Sequence, residues 1–366
     1  MKKIEIFFKL VFLKWILFFG KRKKLDSKIE LQKGEKVLCI RLNRIGDALV
    51  VTPLIHAIKK NTGCSISVLA DRHNHFVFRN NPDIDEIIVF EKGKNGTKKL
   101  IRLLKKSGFS VVLDLHDDVS VTVSYILSKL KIQYIAGLDK ENRALYTNLV
   151  PRLDSVKHHV IERAFALSEL FEKRIDLFPN ESELEAHKIR YYPSEENFSV
   201  TRKYFDSKFS PGDFVVGINI SAGSMARYWG TENFRRLVRY LKERKIEYLL
   251  LCSTRDIKLS LEIDPYSERT YYTPDFGEFC AMLEKINLLF SPDTATVHLA
   301  SIYSVPVFGL YVKYDTEDLI WYPYNTRYDA IVTKEPTLKY VPWETVIKKF
   351  ETFLNNEVKF YEDSKL

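Results

Sequence analysis

Cysteine is scarce in this sequence, and its placement argues against two kinds of protein. The four cysteines are Cys39, Cys64, Cys252 and Cys280, and no two of them form a C-x-x-C pair. Metal-binding clusters and the disulfide frameworks of small secreted domains need closer, patterned spacing. The sequence therefore predicts reduced and mostly buried thiols, which are typical of a cytosolic protein.

The glycine-rich signatures of phosphate binding are also absent. The chain has 14 glycines, but none of them belongs to a G-x-G-x-x-G or G-x-x-x-x-G-K-[ST] pattern. This excludes the dinucleotide-binding fingerprint and the P-loop. A phosphate-binding site in this chain has to be built in another way.

No apolar run is long enough to cross a membrane. A spanning helix needs about 20 apolar residues, whereas the most apolar segment, residues 4–19, is interrupted by Glu5, Lys9 and Lys14. A cleavable signal would have small residues after its apolar core, but here Gly20 is followed by Lys-Arg-Lys-Lys. We expect an amphipathic helix in the headgroup layer of a membrane, with packing of that helix on the protein as the alternative.

Positive charge is concentrated at the start of the chain. The formal net charge is +9, and residues 1–24 carry eight basic side chains against Glu5, a net of +7 that leaves +2 for the rest. The nearly balanced remainder argues against a body that binds nucleic acid. Basic residues beside an apolar segment favour the cytoplasmic leaflet. The predicted location is cytoplasmic, peripheral on the inner face of the cytoplasmic membrane.

Length and pattern predict two α/β domains. A chain of 366 residues exceeds the size at which one core usually stops growing. Short β-branched stretches alternate with helical ones, which indicates parallel sheets covered by helices on both faces. The predicted strands are residues 36–41, 65–70, 86–90, 111–115 and 133–136, then 214–220, 247–252, 269–272, 288–290 and 306–311. We therefore expect two doubly wound, Rossmann-like domains facing each other across a cleft.

A polar stretch, residues 180–194, interrupts the alternation and is the expected linker. The predicted organisation is a membrane-surface segment over 1–24 and two domains over 25–185 and 186–366. A last helix is expected over 343–354, followed by a mobile tail over the final ten residues.

The first candidate cluster follows the first predicted strand and reads Arg41-Leu-Asn-Arg44-Ile-Gly46-Asp47, with Pro53 farther on. Asp47 is expected to be the N-cap of a helix, with Gly46 allowing a tight turn. An N-cap aspartate is ordinary. However, Pro53 would then lie beyond the first turn, where proline is costly, and such breaks of local rules cluster at functional sites.

The second cluster follows a late strand and reads Asp293-Thr294-Ala295-Thr296-Val-His298. Asp293 and Thr294 are natural N-cap residues, and the free N–H groups after them would suit a diphosphate. His298 lies four residues after Thr294, on the same helix face. The alternative is a capped helix with an ordinary buried histidine.

The third cluster follows the first strand of the second half and contains Ser221, Gly223, Ser224 and Arg227. Backbone and hydroxyl groups could donate to a phosphate there, and Arg227 could supply a fixed positive charge. The alternative is a flexible surface turn.

In this order the three clusters resemble the ADP-heptose:lipopolysaccharide heptosyltransferases of glycosyltransferase family 9, over about residues 36–350. The motif R-x-x-x-x-G-D-x-x-x-x-x-P of that family is matched by Arg41, Gly46, Asp47 and Pro53. Its D-[TS]-[GA]-x-x-H-x-A is matched by residues 293–300. Asp114-Leu-His116 and His159-x-x-Glu-Arg163 agree more loosely with two middle segments of the family.

The resemblance implies a GT-B fold with an acceptor-side domain over 25–185 and a nucleotide-sugar-binding domain over 186–366. It implies inverting transfer of a heptose or related sugar from a nucleoside diphosphate, ADP-heptose being expected, onto a lipopolysaccharide core or similar anionic envelope glycolipid. Asp47 is then the general base. The implied donor-binding residues are Ser221, Ser224, Arg227, Asp293, Thr294, Ala295, Thr296 and His298. The implied acceptor-side residues are Arg41, Arg44, Gly46 and His116.

No metal or other cofactor is expected, because backbone N–H groups and Arg227 could stabilise the charge on the leaving diphosphate. Asp114 and the Asp117-Asp118 pair leave a bound cation as the alternative. Two other functions stay open. A nucleotide-sugar epimerase would have little use for the basic segment, and a catalytically silent scaffold in envelope assembly would not need Asp47, Asp293 and His298 together.

Overall fold

The computed structural model describes residues 2–172, 187–265 and 268–365. The chain divides into two compact units, unit 1 (Met1–Arg190) and unit 2 (Tyr191–Leu366). The sequence places this boundary between residues 185 and 186. The part of the expected linker that precedes His187 lies outside the described residues.

Unit 1 is built on a parallel sheet. Its strands are β1 (Lys36–Ile40), β2 (Ser65–Asp71), β3 (Glu86–Phe90), β4 (Val111–Asp114), β5 (Tyr134–Leu138) and β6 (Asn148–Val150). They lie in the order β3-β2-β1-β4-β5-β6, and each neighbouring pair is parallel. The first five were predicted to within two residues. The sixth was missed because three residues are too few to show a strand pattern.

The central strand of unit 1 is buried on both faces. Cys39 in β1 pairs with Val68 on one side and with Leu113 on the other, and all three are inaccessible to solvent. Helices on both faces of a parallel sheet exclude water from its centre, so such strands consist of apolar residues without polar alternation.

The helices of unit 1 differ from the prediction for the first candidate cluster. They are α1 (Lys2–Gly20), α2 (Ile45–Leu49), α3 (Thr52–Thr62), α4 (Lys94–Lys106), α5 (Val121–Lys129) and α6 (Val160–Phe165). The expected single helix after β1 is two helices, and Pro53 lies in the first turn of α3. Proline is well tolerated there because its missing N–H would have no helical partner. Pro53 therefore breaks no local rule.

Unit 2 repeats this architecture. Its strands are β7 (Val215–Asn219), β8 (Glu247–Cys252), β9 (Thr270–Tyr272), β10 (Leu288–Pro292), β11 (Val307–Val312) and β12 (Tyr328–Thr333). They lie in the order β12-β11-β10-β7-β8-β9, again with parallel pairs. The edge strand β12, with mostly exposed or half-buried residues, was not predicted.

The last helix of unit 2 is longer than predicted. The helices are α7 (Glu195–Asp206), α8 (Thr231–Glu243), α9 (Ile257–Ile263), α10 (Phe276–Leu283), α11 (Ala295–Ile302) and α12 (Trp343–Asp363). The tail expected to be mobile is helical because Glu357 is buried and receives three hydrogen bonds from Arg327. The Arg327 guanidinium also lies 4.1 Å from the centre of the Phe360 ring.

The order of the strands predicts a ligand-binding site at one edge of each sheet. In both units the chain winds outward in one direction and then in the other, so the order reverses between β1 and β4 and between β7 and β10. Ligands of doubly wound sheets bind beyond the carboxyl ends of the strands at this point. The three candidate clusters follow β1, β7 and β10, while Asp114 ends β4 and His116 follows it.

Residues 10–20 of helix α1 pack on unit 1 through a buried strip. Leu13 and Ile16 are buried, and Gly20 lies so close to α5 that an added Cβ would be 3.0 Å from Ser128 Cβ. Beside this strip, most of residues 10–20 are exposed, and four of the exposed residues are aromatic. The α1 aromatic surface consists of Phe12, Trp15, Phe18 and Phe19 on α1, with Tyr125 and Lys129 of α5 beside them.

The basic run after α1 is partly internal. Arg22 donates from Nη2 to the Leu127 carbonyl, 2.9 Å away at the end of α5, and burial lowers the pKa of this guanidinium. Lys24 donates to the carbonyl oxygen of Tyr146, at 2.8 Å. Two of the basic side chains therefore stabilise unit 1 itself. Within the described ranges, no helix combines the length and the apolar character needed to cross a membrane.

Candidate active site

Asp47 lies just past the carboxyl end of β1, in the first turn of α2. Arg44, which is exposed, is the N-cap residue of that helix, so the expectation that Asp47 caps it is wrong. The tight turn is made by Asn43, with φ of 67°, while Gly46 lies inside α2. Asparagine tolerates this left-handed conformation better than most residues. The helix therefore begins two residues earlier than Asp47.

The Asp47 carboxylate is held by Arg41 instead of by backbone N–H groups. Nη2 of Arg41 donates to Oδ1 of Asp47, and Nε donates to the Asp47 carbonyl at 3.0 Å. The Arg41 side chain is 5% exposed and that of Asp47 is 16% exposed. Arg41 therefore acts inside unit 1 in this structure, and its direct contact with an acceptor stays a prediction.

His116 is also an internal residue. Its Nδ1 lies 2.7 Å from Oδ1 of Asp114, and its Nε2 accepts the N–H of Leu42 at 3.1 Å. Burial lowers the pKa of His116, although Asp114 acts in the opposite direction. The imidazole is neutral at pH 7 and both of its nitrogens are engaged, so an acceptor would have to displace an existing bond to reach it.

Two of the three carboxylates that could bind a cation, Asp117 and Asp118, are paired with arginines. Asp117 lies 3.0 Å from Nη2 of Arg152 and 3.2 Å from Nη2 of Arg163, and Asp118 lies 3.2 Å from Arg152. Arg163 is buried, and its Nε and Nη1 have no hydrogen-bond partner among the described residues. In the sequence, Arg163 belongs only to a loose match with a family motif. Buried N–H groups without an acceptor are costly even when the guanidinium has an ion-pair partner. These two groups make Arg163 a candidate functional residue that sequence reasoning missed.

In unit 2, the turn from β10 to α11 has the form expected of an anion site. Thr294 is the N-cap residue, and its hydroxyl accepts the N–H of Thr296 at 3.3 Å. The N–H groups of Thr294 and Ala295 have no acceptor in the part of the chain that the structure describes. Unsatisfied N–H groups and the helix dipole together favour a negative group at this end.

Asn219, at the carboxyl end of β7, fixes this turn and was not among the predicted site residues. Its Nδ2 donates to Oγ1 of Thr294 and to Oγ of Ser291, both at 3.0 Å. Its Oδ1 accepts the N–H of Ser221 at 3.2 Å. Asn219 is 1% exposed. A polar residue ending an otherwise apolar strand was the available signal, because a buried amide needs partners.

Arg227 and Asp293 bring the second and third clusters together. Nη2 of Arg227 lies 3.2 Å from Oδ2 of Asp293, and Nη1 donates to the Asp293 carbonyl at 3.3 Å. Asp293 is therefore an ion-pair partner of Arg227, and Thr294 alone is the N-cap residue. The pair places a guanidinium beside the unsatisfied N–H groups of the turn, where it could contact a phosphate.

The two serines of the third cluster differ in their environment. The Ser221 hydroxyl donates to Oδ2 of Asp256 at 2.5 Å and accepts the N–H of Ser253 at 2.8 Å. Ser224 is exposed at the start of a 3₁₀ turn, Met225–Arg227. Donation to a phosphate stays a prediction for both residues. For Ser221 it requires the bond to Asp256 to break.

His298 is buried in α11, and burial lowers its pKa to about 4. Its Nδ1 has no partner among the described residues, and its ring lies 6.0 Å from that of Trp321. The side chain is therefore neutral at pH 7 in this structure. A role of His298 in donor binding stays a prediction.

Comparison with known proteins decides the family. The sequence profile described as glycosyltransferase family 9 (heptosyltransferase) matches residues 97–350. The chain belongs to glycosyltransferase family 9. The predicted enzyme class, a glycosyltransferase, is thereby confirmed.

The alignments with curated relatives span most of this chain and most of each relative. "Lipopolysaccharide heptosyltransferase 3" of Escherichia coli K12 is 24% identical, with 76% of this chain and 83% of the relative aligned. "Lipopolysaccharide core heptosyltransferase OpsX" of Haemophilus influenzae is 23% identical, with 86% and 92% aligned.

Solved structures of family 9 proteins share the fold. A glycosyltransferase family 9 protein from Veillonella parvula has a TM-score of 0.74 at 21% identity, over 90% of this chain and 99% of that one. "E. coli ADP-heptose lps heptosyltransferase II" has a TM-score of 0.67 at 17% identity, over 88% and 99%. The predicted GT-B class with two doubly wound domains is confirmed.

Proposed function

We propose that this family 9 enzyme transfers a heptose or a related sugar from ADP-heptose onto a lipopolysaccharide core or similar envelope glycolipid, with inversion at the anomeric carbon. The names of its relatives support the donor and acceptor classes. A solved family structure with a TM-score of 0.64, "E. coli heptosyltransferase WaaC with ADP", supports the nucleotide. Unit 1 supplies the base in this proposal, and unit 2 holds the donor.

The observation that carries the proposal is the hydrogen bonding of the Asp47 carboxylate, near the point in unit 1 where the strand order reverses. One carboxylate oxygen is bound by Arg41, and in the described part of the chain the other oxygen, Oδ2, accepts no hydrogen bond. A fixed carboxylate with one open oxygen suits proton abstraction, because the base must reach the hydroxyl without reorienting.

We propose the following reaction. The acceptor hydroxyl oxygen attacks the anomeric carbon, its proton passes to Oδ2 of Asp47, and the bond from the anomeric carbon to the diphosphate oxygen breaks. Negative charge then builds on the diphosphate. The N–H groups of Thr294 and Ala295 and the guanidinium of Arg227 are arranged to stabilise that charge.

The test is the Asp47→Asn variant, assayed for transfer from ADP-heptose to a lipopolysaccharide core precursor. We expect turnover to fall by roughly 10² to 10⁴, while ADP binding by calorimetry stays within about twofold because the base acts on the acceptor side. Turnover equal to that of the parent enzyme would remove Asp47 from this role. Release of a free, altered sugar nucleotide without acceptor would favour an epimerase instead.

A matched control is Asp85→Asn. Asp85 also pairs with a cation, since Oδ2 lies 2.7 Å from Nζ of Lys59, but it precedes β3 and lies outside the candidate site. Loss of transfer in both variants would mean that breaking any such ion pair inactivates the enzyme. Loss in Asp47→Asn alone would support the base.

We also propose that transfer needs no metal. Asp117 and Asp118 are paired with arginines, and the leaving group is met by N–H groups and Arg227. Transfer in excess EDTA should match transfer in added Mg²⁺. A rate that falls with EDTA and recovers with a divalent cation would overturn this part of the proposal.

The finer location proposed is the inner face of the cytoplasmic membrane, contacted through the α1 aromatic surface. Trp15, Phe18 and Phe19 are 51%, 78% and 68% exposed, which is unusual for neighbouring aromatic residues on a water-facing surface. Lys14, Lys21 and Lys23 are exposed near them, so aromatic groups and cations meet as they do in the headgroup layer.

The membrane contact is tested by sedimentation with vesicles of phosphatidylcholine mixed with phosphatidylglycerol. Replacing Trp15, Phe18 and Phe19 by serine should weaken binding by roughly tenfold or more. The exposed apolar residue Leu261 on α9 provides the control, Leu261→Ser. Equal sedimentation of the triple variant and the parent enzyme would overturn the membrane contact. Light scattering would detect a dimer of the parent enzyme. If the triple variant loses that dimer, the α1 aromatic surface contacts a second copy of the chain instead of a membrane.

A further inference from the structure

The segment that follows β4 is fixed by a buried ionic cluster. Asp114 ends β4, is fully buried, and accepts at Oδ2 from Nζ of Lys140 at 3.0 Å and from the Tyr146 hydroxyl at 2.5 Å. Its Oδ1 accepts from Nδ1 of His116 at 2.7 Å. Burial alone would raise the pKa of Asp114, but Lys140 and His116 hold it well below its usual range. The carboxylate therefore stays ionised, with all its partners donating.

Lys140 binds the backbone as well as the carboxylate. Its Nζ also donates to the carbonyl of His116 and, at 3.5 Å, to that of Asp118. The Lys140 side chain is 2% exposed, so its ammonium has no water to replace these bonds. A buried ammonium with three acceptors fixes their positions, because breaking one bond leaves a charge poorly solvated.

This cluster reaches Asp47 by two connections. The carbonyl of Leu115, between Asp114 and His116, accepts Nη1 of Arg41 at 2.9 Å. His116 accepts the N–H of Leu42 at 3.1 Å, which ties the same segment to the residue after Arg41. Arg41 then donates to Oδ1 of Asp47. The position of the Asp47 carboxylate therefore depends on Lys140 through the backbone of residues 114–116 and the hydrogen bonds of Arg41.

We propose that Arg41 and Lys140 are positioning residues for the Asp47 carboxylate, Arg41 by binding Oδ1 and Lys140 by fixing the Leu115 carbonyl that holds Arg41. This inference rests on the proposed role of Asp47 as the base. Arg41 leaves only Oδ2 to receive a proton. Lys140 keeps the guanidinium from turning away, although it contacts neither substrate nor Asp47.

The first test is Lys140→Met, which keeps much of the side-chain volume and removes the charge. We expect kcat to fall at least tenfold, while donor KM and ADP affinity stay within about twofold, because proximity effects act on the chemical step. The matched control is Lys59→Met, since Lys59 also binds a carboxylate and a carbonyl, those of Asp85 and Cys64. Its kcat should be unchanged. A kcat of Lys140→Met equal to that of the parent would overturn the proposal.

A double variant separates positioning from a merely structural role. If Lys140 acts through Asp47, then Asp47→Asn combined with Lys140→Met should have the same residual rate as Asp47→Asn alone. Multiplicative losses would overturn the inference while leaving the base intact. Full turnover of Asp47→Asn alone would instead overturn the proposed function.

Two milder variants decide the question if Lys140→Met fails to fold. Tyr146→Phe removes one hydrogen bond to Asp114 and keeps the ring, and Arg41→Lys keeps a charge but cannot make all three bonds of the guanidinium. We expect kcat to fall severalfold in the first and at least tenfold in the second, with donor KM unchanged. Parental kcat in both folded variants would overturn the proposal.

Discussion

Nδ2 of Asn219 donates to Oγ1 of Thr294 across a distance of 3.0 Å, and this bond joins the end of β7 to the cap of α11. The two residues are 75 positions apart in sequence. Thr294 can orient its hydroxyl toward the N–H of Thr296 because Asn219 fixes that hydroxyl from the other side. The geometry of the candidate anion site in unit 2 therefore depends on Asn219.

The Asn219→Ala variant is expected to weaken nucleotide binding. Removing the amide leaves the hydroxyls of Ser291 and Thr294 without their buried donor, a loss of roughly 1–3 kcal/mol. We expect ADP affinity by calorimetry to fall about tenfold, with the acceptor KM unchanged. Asn233→Ala is the control, since its Nδ2 donates to the Trp229 carbonyl in the same unit. An equal loss in both variants would mean that the effect comes from general destabilisation of unit 2.

Burial of His298 should make the protein less stable in acid. The pKa of His298 is about 4 in the folded chain, against 6.5 as its ordinary value. As pH falls from 6.5 toward 4 the unfolded chain takes up a proton and the folded chain does not, so unfolding becomes more favourable. The expected loss is about 2 kcal/mol between pH 7 and pH 5.

This loss is measured by urea unfolding of the parent and the His298→Gln variant at both pH values. The variant should lose about 2 kcal/mol less than the parent. His158→Gln, at a half-buried position, should retain the parental pH dependence. Parallel pH profiles of His298→Gln and the parent would contradict a buried neutral imidazole.

Gly20 should be required for the docking of α1. A Cβ added there would lie 2.6 Å from Cδ2 of Leu145 and 3.0 Å from Cβ of Ser128. In Gly20→Val we expect a destabilisation of roughly 1–3 kcal/mol and faster trypsin cleavage within residues 1–24. Phe19→Val also introduces a β-branched residue but at an exposed position. If Phe19→Val is cleaved as fast as Gly20→Val, the close approach of α1 and α5 is not the cause.

The four cysteine thiols should react slowly with Ellman's reagent in the native protein. All four are buried, and burial raises the pKa values of Cys252 and Cys280 to about 12, which disfavours the reactive thiolate. Complete reaction should require unfolding. A Ser364→Cys variant, at an exposed position, is the positive control and should gain one fast-reacting thiol. A fast native reaction in the parent would contradict the burial of at least one cysteine.

Local pattern was informative about the fold because each cue lies within a few neighbouring residues. Apolar runs between helical segments predicted ten of the twelve strands described here, and the spacing around Thr294 predicted its cap. Predictions at the first cluster were wrong in detail because they placed Pro53 inside a single helix with Asp47 as its N-cap. A turn at Asn43 and a break before Thr52 leave Asp47 inside α2 and Pro53 at the start of α3.

The sequence by itself determined the strand and helix alternation, the family motifs and the uneven charge of the chain, because these depend on residue type and spacing. Only the tertiary structure decided which partners those residues have. The pairing of Arg227 with Asp293, the burial of His298 and the bonds of Arg22 at the end of α5 each join segments that are distant in sequence or depend on complete packing. Parallel strands and their crossover helices bring such segments to one edge of a sheet, and no local pattern records which side chains meet there.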